Sequence, residues 1–167
     1  MKESNHRIDP RAGWVSTKKL PKGPSGRALC RQCGQEVPRG RRTFCGEACI
    51  DAWKIRTDPG FIREKLIQRD HGICAACRLD TIALKRFVRE QPYRFRVAWE
   101  DGMKVGSTRT FWEADHVRPV QEGGGLCGLD GLQTLCCWCH RLKTAEQARR
   151  VADQKRLEGQ TGQARLL

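Results

Sequence analysis

The sequence predicts a small, zinc-stapled α+β domain, with a four-cysteine zinc finger towards the N-terminus and helices that flank a short sheet. Three observations lead to this fold class. Ten cysteines occur among the 167 residues, and most of them form closely spaced pairs. A segment with helix start and stop residues follows the first cysteine group, and a segment typical of strands precedes the last one. A chain of this length buries only a modest core, so metal sites would contribute much of its stability.

The charge of the chain favours a polyanionic partner. The formal net charge is +13, and lysine and arginine are spread along the whole length. Nucleic acid is the commonest polyanion that a protein of this kind meets, whereas simple solubility rarely needs so one-sided a balance. Residues 1–28 combine lysine, arginine, glycine and proline with little apolar periodicity. We expect them to form a flexible basic arm, which either contacts phosphates or is an unstructured leader.

The cysteine content and the N-terminal residues indicate the cellular compartment. No apolar run approaches the roughly 18 residues that a membrane helix needs, and MKESNHRIDP lacks the apolar segment of a signal peptide. Ten cysteines without a secretion signal indicate a reducing compartment and metal ligation rather than disulfides. We therefore expect a cytoplasmic protein of a bacterium or phage, with no membrane partner.

The first cysteine group predicts a structural zinc site within residues 29–57. CRQC is followed by an eleven-residue loop and then by CGEAC, so the candidate ligands are Cys30, Cys33, Cys45 and Cys49. Two thiolates three positions apart can bind one ion from a tight turn. The segment CIDAWKIR has a helical pattern, which would place the last of these cysteines in a first helical turn.

Two helices are predicted after this finger. In TDPGFIREKLIQRDHG, Asp58 can cap the helix, Pro59 fits the first helical position and Gly72 is placed to end it. His71 in this setting is expected to be a helix-end residue rather than a metal ligand. The segment LDTIALKRFVREQ predicts a second helix that ends before Pro92.

The second half of the chain is predicted to contain strands, a loop and a terminal helix. YRFRVAWEDGMKVGSTRTFWEADHV has the composition of strands that turn at Asp101-Gly102 and near Gly106. QEGGGLCGLDG is too rich in glycine for regular structure and leads into a short helical stretch around 132–135. TAEQ at 144–147 resembles a capping box that opens an arginine-rich terminal helix.

A second structural zinc site is predicted from two more cysteine pairs. CAAC and CCWC each contain two cysteines with a two-residue spacing, which gives the ligand set Cys74, Cys77, Cys136 and Cys139. Such a site would join segments about sixty residues apart, a large contribution to a small core. Cys137 is adjacent to a ligand and would point away from the ion, so we expect it to pack in the interior. Cys127 has no assigned partner.

A candidate phosphodiesterase site combines the pair in FWEADHVRPV with His140. Asp115 offers a hard oxygen ligand and His140 a nitrogen, so together they could bind one divalent cation with open positions for phosphate and water. His116 would then be free to take a proton from water, since histidine exchanges protons near neutral pH. Neighbours on a flat strand face opposite sides, but a twisted strand that ends at Pro119 would let both reach one site. The alternatives are a surface pair at 115–116 and a zinc-ligand role for His140.

These segments resemble a known nuclease family. FWEADHVRPVQEGGG followed by LDGLQTLCCWCHRLKTAEQA resembles an HNH endonuclease of the zinc-stabilised ββα-metal type. The upstream CxxC and CxxxC unit and TDPGFIREKLIQRDHGICAAC resemble the HNH module attached to certain annealing helicases. The resemblance extends over roughly 28–150. Together with the basic arm at 1–28, it predicts the finger at 29–57, a ββα-metal HNH nuclease domain at 58–150 and a C-terminal helix or tail at 151–167.

The resemblance implies a set of roles for the site residues. His116 would be the general base, Asp115 and His140 would bind a catalytic Mg²⁺ or Mn²⁺, and DNA would be the substrate. The second cysteine set would bind structural zinc. Members of the family leave 5′-phosphate and 3′-hydroxyl ends. Cutting both strands would need a homodimer, a larger assembly or two binding events, and the sequence leaves these open.

Basic side chains near the motif are expected to bind DNA phosphates. They are Arg118, Arg141 and Lys143, with Arg149 and Arg150 further along the terminal helix. A solvated helix face is the alternative for each of them. We expect Trp112 and Trp138 to pack in the core rather than to stack on bases.

One position departs from the family pattern. An asparagine in the family precedes the segment similar to LQTLC and helps to orient the base histidine, whereas this chain has Gly131 there. Glycine has no side chain for a hydrogen bond, although Asp130 could substitute. We expect the change to weaken the site rather than abolish it. The alternative function is a zinc-stabilised DNA-binding module with weak or absent catalysis; an RNA-binding or protein-interaction module has only the charge in its favour.

Overall fold

The computed structural model of the chain describes residues 16–102 and 110–163, with side chains described as far as residue 158. The elements of these ranges are α1 (Glu47–Thr57), α2 (Pro59–Asp70), α3 (Thr81–Glu90), α4 (Tyr93–Gly102), β1 (Trp112–His116), β2 (Leu132–Cys136) and α5 (Cys137–Gln163). Short 3-10 helices occur at Thr17–Lys19, Val120–Glu122 and Leu129–Gly131. The predicted α+β class is confirmed, because the described residues contain five α-helices and one two-stranded sheet. No helix in the described ranges is long and apolar enough to span a bilayer.

The predicted arm at 1–28 lies partly outside the described residues, which begin at residue 16. Its described part contains a 3-10 helix and an isolated bridge between Lys22 and Ala28. A second bridge joins Leu29 to Glu36. The predicted turn near Gly106 also lies outside the described residues.

Helix α2 begins and ends where its local signals predicted. The Asp58 carboxylate accepts hydrogen bonds from the backbone N–H groups of Gly60 at 2.9 Å and Phe61 at 3.1 Å, so the predicted cap is confirmed. Past the last helical residue, His71 has a φ of 54° and Gly72 a φ of 74°. This left-handed backbone reverses the chain, and the predicted position of His71 at a helix end is confirmed.

Helix α3 was predicted correctly, whereas the strand prediction for the following residues is wrong. α3 ends at Glu90, before the proline at position 92. Residues 93–102 then form α4, although their aromatic and arginine residues alternate as in a strand. Phe95 and Trp99, four positions apart, stack with ring centroids 5.9 Å apart. That spacing suits a helix, and the packing of α4 on α3 overrides the local preference.

The sheet is an antiparallel pair, and its second strand corrects another prediction. The backbone N–H of Val117 donates to the carbonyl of Gly131 at 2.9 Å, and that of Cys137 donates to Phe111 at 3.1 Å. Residues 132–135 are therefore strand and not the predicted short helix. The spacing of the two leucines in LQTLC suits either structure, and pairing with β1 decides between them.

Helix α5 begins seven residues earlier than its predicted capping box. It starts at Cys137, so Thr144 lies inside the helix. The Thr144 hydroxyl donates to the carbonyl of His140 at 2.8 Å, as threonine does within helices. The capping-box prediction at 144–147 is wrong, and the α5 residues from 137 onward continue directly from β2.

The glycine-rich loop is more regular than predicted, since it contains two 3-10 helices. Gly123 has a φ of 90°, which a residue with a side chain rarely adopts. The N–H of Gly124 donates to the carbonyl of Pro119 at 3.0 Å. A Cβ at Gly124 would overlap the carbonyl of Arg118, so glycine is required for this close approach.

The chain divides into two compact units. One contains the residues up to Arg69 together with His116–Gln133, and the other contains Asp70–Asp115 together with the residues from Thr134 onward. The core of the first unit includes Cys30, Val37, Ile55, Leu66 and Leu132. The core of the second includes Cys74, Val88, Phe111, Trp112, Leu135, Cys136 and Cys137.

Candidate active site

The first cysteine group forms a cluster, which we call the finger cluster. It consists of Cys30, Cys33, Cys45 and Cys49, whose sulfur atoms all lie within 4.8 Å of one another. A tight turn shapes its first pair, because the N–H of Gly34 donates to the carbonyl of Cys30 at 2.9 Å. Cys49 lies in the first turn of α1, as the sequence predicted. The four thiols can therefore bind one zinc ion.

The pKa values of these thiols differ, and the difference favours binding of a cation within the cluster. Burial opposes ionisation of Cys30, but backbone N–H groups of Cys33 and Cys45 lower its pKa to about 6. The hydrogen bond that the Cys49 thiol donates to the Cys45 sulfur, followed by burial, raises the pKa of Cys49 to about 12. Thiolates at this distance repel one another, so a divalent cation is needed to keep all four ionised.

The second group forms the cluster that we call the core cluster. It consists of Cys74, Cys77, Cys136 and Cys139, again with all sulfur atoms within 4.8 Å of one another. Its two buried cysteines pack with Leu135, and Leu79 and Trp138 pack around them. The N–H of Ala75 donates to the carbonyl of Thr134 at 2.8 Å. The knuckle at 74–77 is thus attached to β2 by a backbone hydrogen bond as well as by the cluster.

The core cluster shows the same division of acidity. Burial opposes ionisation of Cys74, but backbone N–H groups of Cys136 and Cys77 lower its pKa to about 7. Burial, and then the sulfur of Cys136, raise the pKa of Cys139. The Cys74 thiol therefore ionises readily, whereas the Cys139 thiol resists ionisation. A zinc ion bound to the cluster would keep both thiols ionised.

The remaining aromatic and cysteine predictions concern packing. Trp112 and Cys137 are buried, and Trp138 packs against the core cluster, so the packing predictions for these three are confirmed. Cys127 is half-buried, and burial raises the pKa of its thiol.

Asp115 and His140 come together at the junction of β1 and α5. The Asp115 Oδ1 atom lies 3.9 Å from His140 Nε2. The Asp115 side chain is 16% exposed and the His140 side chain 37% exposed, so the pair is reached from one open side. His140 is the fourth residue of α5 and directly follows Cys139, whose sulfur belongs to the core cluster.

The geometry of this pair fits a divalent cation. Two donor atoms that each lie about 2.1 Å from one ion can be at most about 4.2 Å apart. The observed 3.9 Å between the carboxylate oxygen and the imidazole nitrogen is within that limit. One oxygen and one nitrogen donor suit Mg²⁺ or Mn²⁺ and leave most coordination positions for water and phosphate.

Lys143 makes a contact that sequence reasoning missed. Its ammonium group donates a hydrogen bond to Asp115 Oδ2, the carboxylate oxygen that does not face His140. The Lys143 side chain is 20% exposed. His140 and Lys143 are three positions apart along α5, and this spacing places them on one helix face. The spacing could have indicated a shared partner, but not which residue that partner is.

His116 is the last residue of β1 and follows Asp115 directly. It is half-buried. The residue after it, Val117, donates its N–H to the carbonyl of Gly131 at 2.9 Å, so paired backbone continues past the histidine.

Comparisons with known proteins identify relatives of this chain. The family model "HNH endonuclease" matches residues 102–146, a segment that contains Asp115, His116 and His140. The DNA annealing helicase and endonuclease ZRANB3 of Mus musculus is 32% identical over 155 residues, which cover 79% of this chain and 14% of the relative. The chain contains an HNH endonuclease domain.

Further relatives of this HNH chain have similar coverage. The human DNA annealing helicase and endonuclease ZRANB3 is 29% identical over 154 residues, or 78% of this chain. The HNH chain therefore spans 14% of the length of these curated relatives. The crystal structure of the human ZRANB3 HNH domain is 33% identical, with a TM-score of 0.44, and the match covers 57% of this chain and 94% of that one.

The loop before β2 contains Gly131 where the family pattern predicts asparagine, and the side chain of Cys127 packs against this glycine. A Cβ at Gly131 would overlap the Cβ of Cys127 and lie 2.7 Å from its sulfur. Arg69 supports the backbone on both sides of Gly131. Its guanidinium donates to the carbonyl of Leu129 at 2.8 Å and to that of Leu132 at 2.9 Å. No sequence signal pairs Arg69 with this loop, because about sixty residues separate them.

The basic residues predicted near the HNH motif lie at the surface, apart from Lys143. Arg118 follows β1 and is exposed, and Arg141, Arg149 and Arg150 are exposed on α5. Arg150 forms an ion pair of 3.4 Å with Glu146, one helical turn away.

Proposed function

We propose that this protein is a metal-dependent DNA endonuclease that hydrolyses phosphodiester bonds with a single catalytic cation. The observation that carries the proposal is the Asp115–His140 pair, whose donor atoms lie 3.9 Å apart and so fit one divalent ion. The match of residues 102–146 to the HNH endonuclease model supports nuclease chemistry. The ZRANB3 relatives are named as endonucleases, and we propose this activity for this chain as well.

The proposed mechanism gives each residue a separate role. Asp115 and His140 would hold Mg²⁺ or Mn²⁺, whose chemistry is to draw charge from the scissile phosphate and the leaving oxygen. His116 would accept a proton from the attacking water. As the new phosphorus–oxygen bond forms, the bond to the 3′ oxygen breaks and that oxygen takes a proton from solvent water, which leaves 5′-phosphate and 3′-hydroxyl ends.

The two cysteine clusters would bind structural zinc. At the core cluster, a zinc ion would fix the backbone of Cys139 and therefore the direction in which the next residue, His140, leaves the helix. The finger cluster would stabilise residues 29–57 in the same way. We infer that zinc is structural at both and that the catalytic ion is a different metal.

DNA binding would come largely from the positive charge. The net charge of +13 favours phosphate contacts all along the chain. We propose that Arg118, Arg141 and Lys143 contact phosphates beside the scissile bond, with Arg149 and Arg150 further along α5. Such contacts position DNA without reading its sequence.

The alternative is a DNA-binding module with weak or absent catalysis. It is favoured by Gly131, which offers no amide to orient the base histidine, and by the Cys127 side chain that occupies the adjoining space. The two hydrogen bonds from Arg69 support the loop backbone in another way. We therefore favour an active enzyme whose base is less firmly oriented than in relatives with asparagine.

The substitution His116→Ala tests the proposed mechanism. Loss of a general base slows a reaction by about 10² to 10⁴-fold, so we expect cleavage of end-labelled duplex DNA to fall by that factor. Zinc content and DNA affinity should remain close to wild type, because His116 belongs to neither cysteine cluster. Cleavage by His116→Ala at the wild-type rate would remove the base role, and end analysis of the wild-type products tests the predicted 5′-phosphate.

A further inference from the structure

The two oxygens of the Asp115 carboxylate face different partners. Oδ1 lies 3.9 Å from His140 Nε2, while Oδ2 accepts a hydrogen bond from the Lys143 ammonium. Both side chains of the ion pair are mostly shielded, with 16% of Asp115 and 20% of Lys143 exposed. Lys143 therefore neutralises the one carboxylate of the proposed cation site from within the same unit.

An ammonium group on a carboxylate opposes the binding of a second cation there. The carboxylate charge is shared between the two cations, and the cations repel each other across a short, partly desolvated distance. Lysine differs from a fixed counter-charge because its flexible four-carbon chain lets the ammonium move by several ångströms. Lys143 can therefore leave Asp115 when another anion becomes available nearby.

We propose that Lys143 is an exchangeable counter-ion of Asp115. In the absence of DNA it neutralises the carboxylate and weakens divalent-cation binding. When a DNA phosphate enters, the ammonium moves to the phosphate and Asp115 becomes available to the cation. Cation binding and phosphate binding would thus be linked through one side chain. This inference rests on the proposed function, since it takes Asp115 and His140 as the cation site.

The test is a Mn²⁺ titration of the full, zinc-loaded chain without DNA, monitored by calorimetry and by the electron paramagnetic resonance signal of free Mn²⁺. Lys143→Met should bind Mn²⁺ at least about fivefold more tightly than wild type, which corresponds to about 1 kcal/mol. Lys143→Gln, which keeps a hydrogen-bond donor without charge, should also bind more tightly. Lys143→Arg should stay close to wild type.

Two control variants accompany the titration. Lys155→Met makes the same chemical change at an exposed position of the same helix, and it should leave Mn²⁺ affinity unchanged. Asp115→Asn should abolish the site. At saturating Mn²⁺, Lys143→Met should cleave DNA more slowly than wild type, because the phosphate has lost its ammonium partner.

The outcomes separate this inference from the proposed function. Tighter Mn²⁺ binding combined with slower cleavage in Lys143→Met supports the exchange. Weaker binding in Lys143→Met and Lys143→Gln would show that Lys143 merely orients the carboxylate, and equal binding would show no competition; each result overturns the inference while Asp115-dependent binding keeps the metal site. If neither wild type nor Lys143→Met binds Mn²⁺, the proposed cation site fails and the inference fails with it.

Discussion

The two cysteine clusters each consist of four cysteines, but they connect segments that are separated by very different numbers of residues. In the finger cluster, Cys33 and Cys45 are 12 residues apart and their sulfurs lie 3.6 Å apart. In the core cluster, Cys77 and Cys136 are 59 residues apart, with sulfurs at 3.7 Å. The finger cluster therefore closes a short loop, whereas the core cluster holds together distant segments on which Asp115 and His140 depend.

This difference predicts what each metal ion contributes. A structural zinc ion contributes about 10–16 kcal/mol of apparent binding free energy, and that energy is coupled to folding of whatever its ligands join. At the finger cluster the energy stabilises a local segment. At the core cluster a bound zinc ion would also fix the start of α5, where His140 and Lys143 approach Asp115. Loss of the two zinc ions should consequently have unequal effects on catalysis.

The largest expected effect follows from Cys77→Ser. We predict loss of one zinc ion per chain, loss of measurable DNA cleavage and a broad, low-temperature unfolding transition, because the knuckle at 74–77 no longer binds β2 through metal. Zinc content by plasma mass spectrometry and thermal unfolding by circular dichroism provide the measurements. Cys137→Ser, a buried neighbour outside the cluster, is the control and should keep its zinc. A Cys77→Ser protein that cuts DNA normally would contradict the prediction.

The matched substitution Cys33→Ser sharpens the comparison. Like Cys77, Cys33 is the exposed second cysteine of a two-residue-spaced pair. We predict loss of one zinc ion here too, but cleavage that is reduced rather than abolished, since the finger ligands all lie within 30–49. The same assays apply. Equal loss of cleavage in the two variants would show that the clusters do not differ in the way described.

A smaller effect is expected at Gly131. Gly131→Asn alone should lower stability by about 1–3 kcal/mol, the usual cost of overpacking, because the new Cβ would overlap Cys127. The double variant Cys127→Gly/Gly131→Asn should recover the melting temperature and cut DNA faster than wild type, since the amide could then orient His116. Gly128→Asn, at an exposed glycine where an added Cβ would meet nothing within 4 Å, is the control. A single variant as stable as wild type would refute the packing argument.

The smallest effect is expected from Arg69→Lys. Lysine keeps the charge but lacks the planar fork that reaches the carbonyls of Leu129 and Leu132 together. We predict a loss of about 1 kcal/mol in urea unfolding, the net value of a typical hydrogen bond. Unchanged stability would mean that these bonds do not support the loop.

Features that depend on neighbouring residues could be predicted from the sequence. Asp58 and Pro59 start α2, and the cysteine spacings identified both clusters, because each signal acts within a few residues. The strand prediction for 93–102 failed, since a local alternation of side chains does not reveal packing on α3. The strand β2 was missed for the same reason, because β1 decides its conformation.

The residues of the candidate site could likewise be predicted only in part from the sequence. Asp115, His116 and His140 were proposed from motifs, and the structure brings Asp115 and His140 within 3.9 Å of each other. The hydrogen bonds of Arg69 and the ion pair of Lys143 could not be predicted. Arg69 lies 60 or more positions from the carbonyls that it contacts, and Lys143 lies 28 positions from Asp115. No sequence spacing identifies either partner.

We propose that the Asp115–His140 pair, with His116 as the base, makes this protein a metal-dependent nuclease. The most direct test is conversion of supercoiled plasmid by purified protein in Mg²⁺ or Mn²⁺, beside the double variant Asp115→Ala/His116→Ala. We predict that the wild type nicks or linearises the plasmid in a metal-dependent way and that the double variant does not, although it still binds DNA. Conversion at equal rates by the two proteins, or by neither of them while DNA binding persists, would contradict the claim.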